Sequence, residues 1–197
     1  MTSTDIELVF ATQNDLGAMT EIYNYYVLNS AITFDTTPFS VEQRQPWFDQ
    51  FMPNSIHQCL VAKQYGKVLG YTSSSKLRPK PAYDSSVETT IYLHPDAVGM
   101  GLGSKLYGAL FNNLSKLDVH RLYGIVALPN DRSLQLHRRF GFSQIGVLNE
   151  VGFKFGRYHD TAWLERKFEN SSEASLEGNS EGSSDGSSVK KPRDADE

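Results

Sequence analysis

From Val87 to Tyr107 the hydrophobic period of the chain switches from two residues to nearly four, and the switch falls on a glycine-rich joint. Val87, Thr89, Ile91 and Leu93 alternate with Glu88, Thr90 and Tyr92. This is a strand pattern, and it puts Glu88 on the same face as Tyr92. Beyond Pro95-Asp96, Gly99, Gly101 and Gly103 strip side chains from every second position, so backbone N–H groups can approach a ligand closely. Leu106, Tyr107, Leu110, Phe111, Leu114 and Leu117 then recur at helical spacing. The glycines therefore stand at a helix N-terminus, where free amides and the helix dipole favour an anion of pyrophosphate shape.

Two familiar phosphate loops do not fit. A Walker loop needs G-x-x-x-x-G-K-[ST], whereas Gly103 is followed by Ser104 and only then Lys105. A dinucleotide fingerprint needs G-x-G-x-x-G, whereas the spacing here is G-x-G-x-G. Taken alone, the loop reads equally as a tight turn whose glycines serve packing.

The 197 residues suffice for one domain with a sizeable core. A hydrophobic content of 39% and a formal charge of −4 describe a globular chain. No basic excess argues for nucleic acid or an acidic membrane surface, so a small molecule is the expected partner. The one cysteine, Cys59, lies in the apolar run Cys59-Leu60-Val61-Ala62 and reads as a small core hydrophobe. Met1 to Asp5 show neither the basic nor the apolar stretch of a signal peptide, and no run is long enough to span a bilayer. The cytoplasm is the expected compartment.

Taken in order, Ile6, Leu8 and Phe10 alternate as a first strand, and Thr12 with Asp15 opens a helix by a capping box. That helix turns Leu16, Met19, Ile22, Tyr23, Tyr26 and Val27 to the core, with Tyr25 and Tyr26 as candidates for a pocket edge. Ser40 and Gln43 cap a second helix, which Pro46 should kink or shorten at a cost of about 3 kcal/mol. Gln58 to Tyr65 and Val68 to Ser75 form a hairpin about Gly66-Lys67. In Arg78-Pro79-Lys80-Pro81-Ala82-Tyr83, alternate prolines stiffen a loop that presents two cations and a phenol, suited to a carboxylate or phosphinate; on the residues alone, solvated loop charges are the favoured reading.

Leu122 to Val126 form the next strand, and Asn130 or Asp131 caps a helix carrying Leu134, Leu136, His137 and Phe140 that stops at Gly141. Strands from Phe142 to Leu148 and from Thr161 to Lys167 complete the sheet. The aromatic and basic stretch from Gly152 to Asp160 is expected between them as a loop over the substrate side. From Glu169 the composition turns to serine, glycine and acid, so residues 1–168 read as the domain and 169–197 as a disordered tail.

Five stretches in this order carry a resemblance. They are Tyr83-Asp84; Val87-Glu88-Thr89-Thr90-Ile91-Tyr92; Gly101-Leu102-Gly103-Ser104-Lys105-Leu106-Tyr107; Leu128-Pro129-Asn130-Asp131 with Leu136-His137; and Gly152-Phe153-Lys154 with His159-Asp160. From Ile6 to Phe168 the chain resembles the GCN5-related N-acetyltransferases, and within them the phosphinothricin acetyltransferase branch. The resemblance implies an α/β fold with a mixed central sheet of six to seven strands flanked by about four helices. It further implies acetyl-CoA as co-substrate, no metal, and often a homodimer.

It assigns the coenzyme to Tyr92, Leu93, Val98, Gly99, Met100, Gly101, Leu102, Gly103 and Ser104, with Asn130 near the pantetheine arm. It places Phe34, Arg78, Lys80, Tyr83 and Thr90 about the substrate. Relatives commonly carry Arg or Gln where Val98 stands and often Arg where Met100 stands, so the usual side-chain donors to the pyrophosphate are missing. Main-chain contacts from Gly99 to Gly103, with Lys105 nearby, are expected to hold the coenzyme, more weakly than in those relatives.

Transfer of an acetyl group to an amine requires that the ammonium lose a proton, that the oxyanion be stabilised and that the thiolate leave. Free α-amines titrate near or above 7.7 to 8.0, so a base is required, and Glu88 is the candidate, given burial or a water relay. His137 stands where many relatives carry a tyrosine that protonates the thiolate; it reads either as that acid or as a helix histidine lodged against the sheet. Backbone amides around Tyr92 and Leu93, where these enzymes usually have a bulged strand, would meet the oxyanion. The expected activity is acetylation of the α-amine of a small amino-acid-like substrate, of phosphinothricin or methionine sulfoximine type, by direct attack in a ternary complex. The alternatives are another amine (a protein N-terminus, lysine or polyamine) and a non-catalytic acyl-CoA-binding module.

Overall fold

The computed structural model describes residues 6–168; the expected disordered tail lies outside the described residues. One mixed sheet is built from β1 (Glu7–Phe10), β2 (Gln58–Gln64), β3 (Lys67–Lys76), β4 (Ser86–Leu93), β5 (Arg121–Ala127), β6 (Ser143–Lys154) and β7 (Arg157–Lys167). Its order is β1-β2-β3-β4-β5-β7-β6, and β4–β5 is the one parallel pair. Among the described residues, α1 (Leu16–Asn29), α2 (Val41–Phe48), α3 (Leu102–Leu114) and α4 (Asp131–Arg139) flank the sheet. The expected mixed sheet and four helices are all present. No helix among the described residues is long and apolar enough to cross a membrane.

Alternation along the strands divides the core between the two faces. Leu60, Ala62 and Val87 pack with Leu106, Leu110 and Leu114 of α3, while Cys59, Val61 and Tyr71 pack with Met19 and Ile22 of α1 and with Trp47 of α2. Glu88 and Tyr92 take the α1–α2 face, opposite to α3. At the start of α1, Asp15 accepts from the Thr12 N–H at 2.9 Å and from Lys63 Nζ at 2.7 Å. Burial pushes its carboxyl up, but Lys63 and Thr12 outweigh this and hold it below the ordinary value. Pro46 lies within α2, a short helix, as expected.

The site is positioned by a parting of strands. β4 and β5 pair only at Ser86–Arg121, Val87–Leu122 and Glu88–Tyr123, with Thr89 Oγ1 donating to the Tyr123 carbonyl at 3.1 Å just beyond. Past that point β5 continues beside β7, and β4 runs on with one edge open.

Three local expectations are corrected. The hairpin between β2 and β3 turns on Tyr65-Gly66, both at positive φ (51° and 78°), one residue earlier than Gly66-Lys67, because the left-handed pair closes the tighter turn. The stretch 152–160 is no loop. β6 and β7 extend through it, pairing Gly152 with His159, Phe153 with Tyr158 and Lys154 with Arg157 about a Phe155-Gly156 turn. The Phe153 and Tyr158 rings meet across the pair at 5.0 Å, so these aromatic residues are ladder partners. Finally, β4 runs in unbroken register against β3 from Val87 to Leu93 without the expected bulge. The irregularity lies instead between β2 and β3, where Leu69 is the extra residue between Val68–Lys63 and Gly70–Ala62.

Candidate active site

Where β4 leaves β5, three cavities follow one another through the sheet. A chamber of about 410 Å³ on the α1–α2 face is lined by Phe34, Asp35, Arg44, Glu88, Thr90 and Tyr92, among others. A slot of about 60 Å³ lies between Thr89–Tyr92, Tyr107, Ile125–Ala127 and His137. A groove of about 500 Å³ runs along the N-terminus of α3. Ile32 and Tyr92 line all three; Thr90 is shared by chamber and slot, and Asn130 by slot and groove. The groove and chamber volumes are of the size of small-molecule sites, about 300–1,000 Å³.

The groove is built largely from main chain. Gly99 and Gly101 lie at φ 94° and 75°, in the left-handed region where a Cβ is strained, and Gly101 is the N-cap of α3. Gly103 serves a different end, since a Cβ there would lie 3.2 Å from Leu136 Cδ2, tight against the contact between α3 and α4. The first-turn amides of α3 have no intrahelical partner and border the groove, the arrangement that suits an anion. Val98, Gly99, Gly101, Leu102, Gly103 and Ser104 line it, whereas Met100 is half exposed and outside its wall.

Arg132 and Arg139, both on α4 and missed in the sequence, line the groove too, and Arg139 Nη1 donates to Ser104 Oγ at 2.9 Å. Their seven-residue spacing puts them on one helix face and was the signal available. They supply side-chain cations where Val98 and Met100 supply none. Asn130 caps α4 by accepting from the Ser133 N–H at 3.2 Å, and it also faces slot and groove.

The open edge of β4 offers amides to the slot. His94 N–H donates to the Leu69 carbonyl at 2.8 Å, one step past the Gly70–Leu93 pair, so the even-numbered residues of β4 bond to β3. The N–H and C=O groups of Ile91 and Leu93 therefore point into the gap left by β5. The Tyr26 hydroxyl meets Leu93 O there at 2.6 Å. With the register regular, Tyr92 turns its amide to β3 and contributes its side chain instead.

Glu88 faces the chamber next to the slot, and Asp35, the other carboxylate of that wall, receives the Tyr23 hydroxyl. Burial raises the Glu88 carboxyl above the ordinary value, and the charge of Arg78 opposes this only in part. A base with an elevated pKa is better matched to neutral pH than an exposed glutamate. His137 is buried between α4 and β5, so close to Gly124 that a Cβ there would lie 2.5 Å from Nε2. Its Nδ1 is 2.8 Å from the Ser133 carbonyl, which accepts only from an N–H. Nε2 therefore carries the lone pair and accepts from the Tyr107 hydroxyl at 3.1 Å. Burial lowers the His137 pKa, so the ring is neutral at neutral pH and its one proton is turned away from the slot. Tyr107 is thus the proton-bearing partner of the pair, a residue the sequence offered only as helix core.

The remaining expected substrate residues divide. Phe34 and Thr90 line the chamber, with Thr90 Oγ1 2.8 Å from Ser73 Oγ. Phe34 packs against Gly152, where a Cβ would lie 2.3 Å from its ring. Arg78, Lys80 and Tyr83 are exposed and not in the chamber wall; the 3₁₀ turn Pro81–Tyr83 carries the loop outward, and the Arg78 guanidinium sits 5.5 Å from the Trp163 ring centroid. Among the described residues no group of three or more His, Cys, Asp or Glu side chains is placed to hold a metal ion.

The family described as an acetyltransferase (GNAT) domain matches residues 8–163. The phosphinothricin N-acetyltransferase of Streptomyces coelicolor is 46% identical over 164 residues, covering 82% of this chain and 96% of that protein. The L-methionine sulfoximine/L-methionine sulfone acetyltransferase of Pseudomonas aeruginosa is 32% identical over 160 residues, covering 81% of this chain and 93% of that one. The solved structure of a GNAT superfamily phosphinothricin acetyltransferase from Sinorhizobium meliloti, in complex with acetyl-CoA, matches with a TM-score of 0.79 at 34% identity over 84% of this chain and 89% of that chain. With most of the chain and nearly the whole length of its relatives in correspondence, this protein belongs to the GCN5-related N-acetyltransferases.

Proposed function

We propose that the protein transfers an acetyl group from acetyl-CoA to the α-amine of a small amino-acid-like substrate such as phosphinothricin or methionine sulfoximine. One observation carries this reading: chamber, slot and groove share lining residues at the parting of β4 and β5, with Glu88 on the chamber side of the slot. The coenzyme supplies the activated thioester. The amides at the start of α3, with Arg132 and Arg139, suit its diphosphate, and the groove leads toward the slot.

In this reading Glu88 removes the proton of the substrate ammonium, and the freed amine attacks the thioester carbonyl directly, forming the amide bond as the carbon–sulfur bond breaks. The N–H of Ile91, on the slot side of the open strand edge, meets the negative charge that builds on the carbonyl oxygen. The nitrogen sheds its second proton as the amide forms and the departing thiolate takes it up, beside the Tyr107 hydroxyl that His137 Nε2 holds in the slot wall. The loop of Arg78, Lys80 and Tyr83 then serves the approach to the chamber, not its wall. The rival of a non-catalytic acyl-CoA binder loses its main support, because Arg132 and Arg139 replace the cations absent at Val98 and Met100.

The reading takes the compartment to be the cytoplasm and the functional unit to be a homodimer. Val147, Leu148, Val151 and Phe153 on the outermost strand β6, all well exposed, support a two-fold assembly. Incubation with acetyl-CoA and a panel of phosphinothricin, methionine sulfoximine, methionine sulfone, spermidine and lysine, read by mass spectrometry, tests the activity. Acetylation of the first three is expected; acetylation of spermidine or lysine alone overturns the substrate assignment.

A further inference from the structure

Arg44 does not fit the role of an ordinary helix arginine. It is 7% exposed, stands on α2 and forms part of the chamber wall. Its guanidinium lies 3.8 Å from the ring centroid of Trp47, 4.3 Å from that of Tyr23 and 5.8 Å from that of Phe39. Aromatic faces attract a cation, but they satisfy none of its N–H groups. Arg44 Nε is fully buried with no hydrogen-bond partner, and among the described residues no carboxylate forms an ion pair with the group. Asp35, in the same wall, already receives the Tyr23 hydroxyl.

A buried charge without a counter-ion is unfavourable, and proteins keep one where a partner arrives from outside. The chamber thus holds a cation fixed in place by stacking, with neither of its carboxylates, Asp35 or Glu88, at ion-pair distance from it. Opposite in sign, Glu88 faces the same space. A molecule that presents an ammonium to Glu88 and an acid group to Arg44 complements both, and an α-amino acid does so. The planar fork of a guanidinium further selects a group with two equivalent oxygens.

We infer that Arg44 receives the acid group of the acceptor, a carboxylate or a phosphinate, and so restricts the chamber to zwitterionic amino-acid-like molecules. The inference rests on the function proposed above and names the residue that sets its substrate class. A diamine or polyamine offers Arg44 no acid group and leaves its charge unpaired, so it is disfavoured against an amino acid.

The test compares wild type with Arg44→Met, which keeps the stem against Trp47 and removes the charge; Arg44→Gln is read alongside in case the methionine variant does not fold. With phosphinothricin, KM is expected to rise at least about 30-fold, in line with loss of one partner of a desolvated charge pair, while KM for acetyl-CoA is unchanged. Methionine sulfone, which carries only the carboxylate, and phosphinothricin carboxamide, which carries only the phosphinate, identify the group held. The penalty should persist with whichever acceptor retains that group. No penalty with any acceptor overturns the inference and leaves the proposed activity standing.

If wild type acetylates no amino acid, the proposed activity fails instead, and Arg44 is judged by binding alone. Acetate and dimethylphosphinate are then titrated while fluorescence from Trp47, stacked on the guanidinium, is followed. A saturable change in wild type that is absent from both variants supports the anion site; the same response in all three, or none in wild type, overturns it.

Discussion

The groove and the chamber meet at one strand but are made of different material. The groove takes its shape from backbone: two glycines held at positive φ, the first turn of α3 and the free edge of β4, with two arginines along the rim. The chamber takes its shape from side chains contributed by α1, the segment 31–38, α2, β3, β4, β5 and β7. A ligand common to many enzymes can be met by peptide groups, which every sequence carries; a particular acceptor needs side chains, which can change without disturbing the strand between. The difference predicts that variants at the two ends separate cleanly in the kinetic constant they move.

The largest effect is expected at the junction. Glu88→Gln should lower kcat by about 10²- to 10⁴-fold with the KM for acetyl-CoA unchanged, and should abolish an acidic limb of the rate profile that lies above the ordinary carboxylate range. A parallel rise in the coenzyme KM would show that the two ends are not separable. The same variant has a stability signature. The folded-state pKa of Glu88 is raised, so the stability that its protonated form contributes is intact below the unfolded value of about 4.3 and is lost as pH rises through the folded one. Thermal unfolding should therefore show Glu88→Gln gaining on wild type from pH 4 to pH 7.

Next in size is Gly152→Ala, which drives a methyl into the Phe34 ring. Overpacking of this kind costs about 1–3 kcal/mol, and the acceptor KM should rise by about 5- to 150-fold with that of the coenzyme unmoved. Gly101→Ala mirrors it at the other end. A left-handed alanine costs about 1–2 kcal/mol, so the coenzyme KM should rise by about 5- to 30-fold while the acceptor KM holds. The smallest effect belongs to Arg139→Ala, a rim charge whose loss should weaken coenzyme binding no more than about fivefold, and less at high salt.

What the sequence disclosed follows the same division. Strand, glycine joint and helix were legible from Val87 to Leu114 because each signal is local, and the face shared by Glu88, Thr90 and Tyr92 followed from alternation alone. The role of Arg44 was not legible. Its partners are Tyr23 on another helix, Phe39 before its own and Trp47 one turn along it; helical spacing joins only Trp47, and nothing periodic brings in Tyr23 or Phe39. The hairpin at 152–160 was misread for a related reason. Gly152 and Gly156 look like loop glycines, yet Gly152 is small because Phe34 fills the space where its side chain would stand, a fact 118 positions away in the chain. The bulge expected at Tyr92 lies on the neighbouring strand, where only pairing partners reveal it.

The position of Cys59 bears on how this chemistry is watched. It is the one cysteine of the sequence, 3% exposed within β2, and burial pushes its thiol far above the usual range. A disulfide reagent such as dithionitrobenzoate needs an accessible thiolate, so the folded protein should stay colourless to it. Any sulfhydryl signal that develops during turnover then comes from liberated coenzyme A, and each mole of it counts one acetyl group delivered.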